Sequence, residues 1–246
     1  MNIKASFTVY LFLFVIIQLS GLWVLTQGVD TTNTKVNGST FTCSCNTANA
    51  SASCELVSPA NGEKRLVFYL PEMFENLHNS TPKLRNISIV LNDRNLTGFE
   101  VQKLNVSKLE LFRDTLNVFS FTHKDQRPLA QWEVVGFDQL SRSLLKNITV
   151  FVLNMNLAFG SNLTFVKHMK NLKTLDLSNN INLGLNYIFK RNGPLSDICS
   201  FKHLENLYLN MVQYPNANGF DPVFLFSSMN CTHADNKVHP LHLRRF

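Results

Sequence analysis

Apolar residues recur along the chain in a fixed frame that closes on a polar residue. The clearest copy covers residues 172–180, LKTLDLSNN, and it matches L-x-x-L-x-L-x-x-N at every specified position. Three further copies with the polar position filled cover residues 84–92, 106–114 and 148–156. Within two pairs of copies the starting points are 22 and 24 residues apart. The pattern therefore predicts a series of stacked supersecondary units.

Two weaker copies extend the series. The copy at residues 204–212 keeps the apolar frame but has Val212 where Asn is expected, and residues 129–134, around Trp132, form a degenerate copy. Buried strands of an ordinary α/β domain are the alternative explanation for the same apolar runs.

Each unit is expected to form a short strand whose Leu-type side chains point inward. The polar residue turns back onto the neighbouring unit, because an Asn amide can both donate to and accept from backbone groups that lack another partner. Asp114 can accept but not donate, so its contact is expected to be weaker. A second apolar cluster behind the strands comprises Leu96, Phe99, Leu183, Leu185 and Phe189. Because one unit cannot bury its face alone, the units must stack.

The N-terminal segment has the composition of a secretory signal peptide. Lys4 precedes an apolar stretch at residues 7–25, and small residues at Gly21 and Gly28 bracket the expected cleavage site. Residues 1–28 are therefore predicted to be a signal peptide. An uncleaved anchor is the alternative, because 19 mostly apolar residues can span a bilayer.

Composition excludes several classes of protein. The 246 residues are 45% hydrophobic and 16% charged, which is too apolar for a disordered chain, and 10 Gly and 8 Pro exclude collagen. The net charge of +6 permits an anionic partner without requiring one.

Sequons for N-glycosylation occur along nearly the whole chain. We predict these as glycosylation sites, most of them on turns or other exposed surfaces. They are Asn37, Asn49, Asn79, Asn86, Asn95, Asn105, Asn147, Asn162 and Asn230.

The five cysteines form one cluster and one distant pair. Cys43, Cys45 and Cys54 lie in a short polar stretch, which in an oxidising compartment indicates a disulfide clip. Zinc is the alternative, but no further ligand stands at a suitable spacing. Cys199 and Cys231 are predicted to form a second bridge around an insertion, and the odd count leaves one thiol over.

No sequence motif for catalysis is present. The chain lacks a nucleophile elbow, a phosphate-binding glycine loop and an HExxH motif, so we expect no catalytic residue, no cofactor, no metal site and no enzyme activity. His233, His239, His242 and Asp235 could bind a metal, but a polar inserted loop explains them more simply. A basic patch of Lys237, Arg244 and Arg245 could contact phosphates or an acidic ligand, but a solvated cluster of charges explains it more simply.

The repeat frame makes the chain resemble a leucine-rich-repeat ectodomain. That resemblance implies an α/β solenoid, a horseshoe with a curved parallel β-sheet, preceded by a Cys-containing N-terminal cap. The cap would cover residues 29–62 and the repeats, with inserted loops, residues 63–246. Cys43 would pair with Cys54, while Cys45 would lack the partner it has in the family, because the first Cys of the usual four is missing.

The spacing of the repeats further resembles that of Toll-like receptors. The last frames start 32 and 39 residues apart, the insertions between them are long, and sequons are abundant. The resemblance implies an innate immune receptor at the cell surface or in the endosome, which binds a microbial or endogenous protein, glycolipid or nucleic acid. Signalling would follow dimerisation of the complete receptor, with membrane attachment through a segment missing from this chain. A secreted protein that binds matrix or acts as a soluble decoy is the alternative, and a secreted enzyme is a third reading.

By the same resemblance, the variable strand positions face the concave side and are candidates for ligand contact. They are Arg85, Asn86, Ser88, Lys173, Thr174, Asp176, Glu205, Asn206 and Tyr208. An inserted loop offers a second candidate patch, with Tyr214, Phe220, Phe224 and Phe226, although packing of these residues on their own repeat is the alternative. The last repeat, at residues 241–246, is incomplete and would leave a bare apolar edge. We therefore expect a truncated chain, a fragment that associates when it is alone.

Overall fold

A mostly parallel β-sheet organises the fold, which is mixed α/β. The computed structural model describes residues 29–36, 39–57, 70–91, 101–124, 131–158, 161–184, 188, 193–196 and 198–209. Within these residues one open sheet has eight strands, in the order β1-β2-β3-β4-β6-β8-β9-β10. The strands are β1 (Val29–Val36), β2 (Ser39–Asn46), β3 (Ser51–Val57), β4 (Asn86–Leu91), β5 (Val101–Asn105), β6 (Val118–His123), β7 (Gln131–Val135), β8 (Val150–Asn154), β9 (Thr174–Asp176) and β10 (Asn206–Tyr208).

The first three strands form an antiparallel meander at one end of this sheet. Cys43 of β2 lies directly opposite Cys54 of β3, and the two residues form a disulfide. This confirms the predicted pair. Cys45 is on the same inward face and is only 1% exposed. Because β3 continues the sheet by pairing in parallel with β4, the meander covers the first parallel strand.

Alternation of side chains sets the two faces of the parallel strands. Buried and half-buried residues alternate along β4, β6 and β8, as expected for strands with one face in a core. The inward residues are large and apolar, and Phe119, Phe121 and Phe151 are fully buried. Phe119 packs edge-on against Phe121, with ring centroids 5.0 Å apart, and stacks on Phe151 of the next strand at 6.1 Å.

A repeated backbone contact joins successive units where their strands begin. One carbonyl oxygen of each unit accepts hydrogen bonds from two consecutive N–H groups of the next unit, at 2.7 to 3.2 Å. The accepting carbonyls belong to Ala50, Arg85, Asn117, Thr149 and Lys173. Because the same geometry occurs at each step from β3 to β10, it sets one common register for the strands.

The sequence frames starting at Leu84, Ile148, Leu172 and Leu204 coincide with parallel strands. The frame at residues 106–114 does not, and its assignment as a strand was wrong. Residues Ser107–Phe112 form a 3-10 helix, and the side chain of Asp114 is 80% exposed beside Arg113. Val106, Leu109 and Phe112 are buried at a spacing of three, which places them on one side of a 3-10 helix.

One parallel strand was missed in the sequence. β6 follows the frame Leu116-x2-Phe119-x-Phe121, in which phenylalanine replaces leucine and Lys124 stands where Asn is expected. With this unit included, the frames at Leu84, Leu116 and Ile148 are 32 residues apart. The 22-residue offset from Leu84 to Val106 therefore had no structural meaning.

A second parallel sheet packs on the same core. It pairs β5 with β7, and Trp132 of β7 also forms a bridge with Leu157. The degenerate copy around Trp132 is therefore a strand, but it belongs to this smaller sheet and not to the main one. Trp132 is completely buried, which explains why its position resembled a core position of the repeat.

The predicted role of the polar residue is observed at Asn180, which is completely buried. Its Oδ1 accepts from the N–H of Leu157 at 2.8 Å, and its Nδ2 donates to the carbonyls of Leu153 and Leu177, both at 2.6 Å. The amide thus satisfies backbone groups of its own unit and of the preceding one. Asn156 is 3% exposed and accepts from Asn182 at 3.1 Å.

Other predicted elements fall partly outside the described residues. Leu183 is buried as expected. Residues 1–28, Asn92, Leu96, Phe99, Leu185, Phe189 and Val212 lie outside the described residues.

Helices cover the core where the chain returns between strands. Helix α1 (Leu70–Ser80) buries Leu70, Met73, Phe74 and Leu77, the stripe expected of an amphipathic helix. Helix α2 (Arg142–Asn147) begins after Ser141, whose Oγ accepts from the N–H of Leu144 at 3.2 Å. Shorter 3-10 helices span Phe137–Gln139, Thr164–His168 and Ile198–Ser200. Among the described residues, no helix has the length and apolar character needed to cross a membrane.

We predict that Asn180→Ala lowers the free energy of unfolding by about 2–3 kcal/mol, because it leaves several buried backbone groups without a hydrogen-bond partner. Denaturant unfolding of the full chain, followed by circular dichroism, measures this change. Asp114→Ala is the matched control and should change stability by less than about 0.5 kcal/mol, because its side chain is in solvent. Equal losses in the two variants would contradict the roles assigned here.

Candidate functional site

The open sheet face is the broadest candidate site. We use this name for the side chains of β2–β10 in the main sheet that alternate with the core residues. Strand pairing aligns them in two long rows across the sheet. The first row is Asn46, Ser51, Asn86, Val118, Val150, Thr174 and Asn206, and the second is Ser44, Ser53, Ser88, Ser120, Val152, Asp176 and Tyr208.

The structure brings all nine predicted contact residues to this face or its edge. Asn86, Thr174 and Asn206 lie in the first row, and Ser88, Asp176 and Tyr208 lie in the second, all of them half-buried. Arg85, Lys173 and Glu205 directly precede the strands and are exposed. The carbonyl oxygens of Arg85 and Lys173 each accept two N–H groups of the next unit. The backbone of these residues is therefore fixed, while their side chains reach solvent.

The residues that connect these positions were not predicted from the sequence. Val118 and Ser120 belong to the unrecognised strand β6, and Ser53 belongs to the cap strand β3. A search for the frame that allowed phenylalanine at the Leu positions would have found β6. The cap strand carries no such frame, and only its pairing with β4 places it in the rows.

The chemical character of the open sheet face changes along the sheet. At the cap end, Ser44, Ser51, Ser53, Asn86 and Ser88 help to line a shallow trough of about 310 Å³. The side chains that line the trough are short, and the surface that they expose to it is mostly apolar.

Toward the other end the trough gives way to aliphatic and then charged residues. Val118, Val150 and Val152 form a half-buried apolar centre. Beyond them, Asp176 and Tyr208 are direct partners in the second row. The Asp176 carboxylate accepts from the N–H of Ser178 at 2.8 Å, which fixes its position.

A second concave feature, the side cleft, lies away from the rows. It has a volume of about 680 Å³ and lies between residues 133–140 and the Thr164–His168 helix. The rings of Phe137 and Phe165 stack at 3.8 Å between these two segments. Glu133 and Asp138 contribute acidic groups to the lining, and Arg142 and Lys167 contribute basic ones.

His168 also lines the side cleft. Partial burial lowers the pKa of this imidazole below its usual value, and the positive charges of Arg142, Lys167 and Lys170 lower it further. The neutral form is therefore favoured in the folded chain.

The predicted glycosylation sites differ in their surroundings. Asn49, Asn79 and Asn162 are exposed, whereas Asn86 is half-buried on the open sheet face. Two other half-buried amides make hydrogen bonds: Asn105 accepts from the N–H of Ser107 at 2.9 Å, and Asn147 donates to the carbonyl of Arg113 at 3.2 Å. Asn37, Asn95 and Asn230 lie outside the described residues.

Several other candidate sites also lie beyond the described part of the chain. They comprise Cys231 of the predicted Cys199–Cys231 bridge, the cluster of His233, Asp235, His239 and His242, the basic patch of Lys237, Arg244 and Arg245, and the apolar patch of Tyr214, Phe220, Phe224 and Phe226. In the part that is described, no three His, Cys, Asp or Glu residues come together as a possible metal site.

Comparison of the chain with protein-family models, with curated proteins and with solved structures finds no match.

We predict that His168 titrates below pH 6.5, the ordinary value for histidine, in an NMR titration of the folded chain. As the pH falls through 6.5, His168 takes up its proton in the unfolded chain before it does so in the folded chain. The free energy of unfolding therefore decreases with falling pH until the folded chain is protonated as well. Arg142→Gln should raise the pKa of His168, whereas Lys108→Gln, on another surface, should leave it unchanged. A pKa at or above 6.5 in the unsubstituted protein would contradict this assignment.

Proposed function

We propose that this chain is a ligand-recognition region of an extracellular leucine-rich-repeat receptor of Toll-like type, and that its open sheet face binds the ligand. The observation that carries the proposal is the alignment of variable polar and small apolar side chains in continuous rows across seven strands, β2 to β10 in the main sheet.

The repeat architecture of the proposal rests on three features. Successive units pair in parallel through the same carbonyl contact, and frames of the L-x-x-L-x-L type supply the buried faces of the parallel strands from β4 onward. Asn180 joins two units through its buried amide, as an Asn in that repeat position is expected to do. All three features support a stacked solenoid of repeats.

Recognition on this face follows from the alternation of side chains. Each residue in the second row stands between two buried residues of its strand, and each residue in the first row is next to one. These outward residues can therefore differ from unit to unit without altering the packing inside. The side chains of the resulting surface change in type along the sheet. They are short and mostly hydroxyl-bearing at the end with β2 and β3, aliphatic in the centre, and charged or aromatic near β10. Such a surface suits an extended macromolecular ligand better than a small molecule, which needs an enclosed pocket.

An extracellular or lumenal location is part of the proposal. The Cys43–Cys54 disulfide is compatible with an oxidising compartment. The apolar N-terminal segment and the nine sequons support entry into the secretory pathway. In a receptor of this type, ligand would bring two such regions together.

Binding to a defined panel tests this function. We would measure association of the full chain with flagellin, lipopolysaccharide and double-stranded RNA, which represent protein, glycolipid and nucleic-acid ligands. The double variant Ser88→Arg with Val152→Arg should weaken binding of the active ligand at least about tenfold, because it places two long charged side chains in the second row. Asp114→Arg is the control, since its site is exposed and lies off the open sheet face.

Stoichiometry then separates the receptor from the secreted alternative. Sedimentation velocity should show two chains per ligand complex for a Toll-like receptor and one chain for a simple binder or decoy. Loss of binding in Asp114→Arg but not in the row variant would overturn the proposed face.

A further inference from the structure

One predicted glycosylation site lies at the side cleft. Asn162 of the sequon Asn162-Leu163-Thr164 is one of the residues that line the cleft. We propose that the side cleft holds the first sugars of an N-linked glycan carried by Asn162. The inference rests on the proposed passage through the secretory pathway.

The local structure leaves Asn162 suited to modification. Its side chain is exposed, and its Oδ1 accepts from the N–H of Thr164 at 3.0 Å and from the Thr164 hydroxyl at 2.7 Å. Both bonds use the oxygen, and neither uses the nitrogen to which a glycan is attached. Leu163 between them is 2% exposed, so the sequon is anchored to the core beside the cleft.

The attachment itself is a group transfer from a lipid-linked oligosaccharide diphosphate. The Nδ2 of Asn162 loses a proton and forms a bond to C1 of an N-acetylglucosamine. The bond from C1 to the diphosphate oxygen breaks, and the lipid diphosphate leaves with the electron pair. Thr164 completes the sequon that the transferring enzyme reads.

The lining of the cleft fits a neutral polyhydroxyl group. Glu133 and Asp138 offer hydrogen-bond acceptors, Arg142 offers donors, and Gln139 offers both. A sugar needs this mixture, because each hydroxyl both donates and accepts. A strongly anionic ligand would be repelled by the carboxylates of Glu133 and Asp138, even though Arg142 and Lys167 would attract it. A volume of about 680 Å³ is within the range of sites for small ligands.

Covalent attachment makes weak contacts sufficient. A sugar tethered at Asn162 is present at the cleft at a high effective concentration, so its contacts do not have to offset the entropy of association. A free sugar with the same contacts would bind poorly.

The other sequon in the lining does not offer the same room. Asn105 is half-buried, and its Oδ1 is held 2.9 Å from the N–H of Ser107. Gly136 approaches it so closely that a Cβ added there would lie 2.7 Å from that oxygen. The exposed Asn162 is therefore the tethering point, and Asn105 forms part of the wall.

Site-resolved release of glycans under native conditions tests the inference. The full chain, secreted from glycosylating cells, would be treated with a peptide amidase that removes N-glycans, and release at each Asn would be followed by mass spectrometry. We expect release at Asn162 to be about tenfold slower than at Asn79, which is exposed near the end of α1. Denaturation of the chain should abolish that difference.

Two sets of variants assign the protection to the cleft. Gln139→Ala with Arg142→Ala removes exposed wall groups and should speed release at Asn162 but not at Asn79. Asn162→Gln should lower the melting temperature of the glycosylated protein more than Asn79→Gln does. In protein made without glycosylation its effect should be smaller, because only the two hydrogen bonds of the Asn162 side chain are then lost.

The outcomes separate this inference from the proposed function. If Asn79 or Asn49 carries a glycan while Asn162 carries none, or releases its glycan as fast as they do, the side cleft does not hold the Asn162 glycan. Either result leaves the receptor proposal standing. A secreted chain with no glycan at any site overturns the proposed glycan contact in the side cleft and removes a main support of the extracellular location. Slow release at Asn162 that persists in the wall variant also overturns it.

Discussion

Parallel pairing of successive strands is the constraint on which the rest of this structure depends. A parallel neighbour can be reached only if the chain crosses back behind the sheet, so every strand requires a return segment. The returns differ in form: one contains helix α2, another contains β5 and a 3-10 helix. What stays constant is the entry to each strand, where one carbonyl accepts two N–H groups of the next unit.

The core follows from that constraint. Inward residues of neighbouring strands meet at the same level, so Phe119 stacks on Phe151, and Phe137 and Phe165 from the returns close over them. Because each unit packs on its neighbours, an end of the stack is a weakness unless it is covered. The β1–β3 meander with its disulfide covers the end at β4.

The same constraint creates the two surfaces of functional interest. Fixed register turns the outward strand positions into rows, which makes the open sheet face a continuous surface built from seven separate strands. The side cleft arises where the varied returns fail to fill the space behind the sheet. The proposed ligand recognition uses the regular surface, and the proposed glycan packing uses the irregular one.

The local spacing of a few residue types predicted the inward face of the strands at Leu84, Ile148, Leu172 and Leu204 and the buried amide at Asn180. The Cys43–Cys54 pair was implied by the resemblance to the leucine-rich-repeat cap. The frame spacing also identified which residues of those strands point outward. Tertiary structure alone decided the rest. Residues 106–112 have an apolar spacing that suits both a strand frame and a 3-10 helix, and only packing against α1 and the core selects the helix. The strand of Trp132 belongs to the second sheet because it pairs with β5 and bridges to Leu157, and its own residues do not specify these partners. The rows and the side cleft exist only once strands from different units are in register, and no single segment of the chain contains that information.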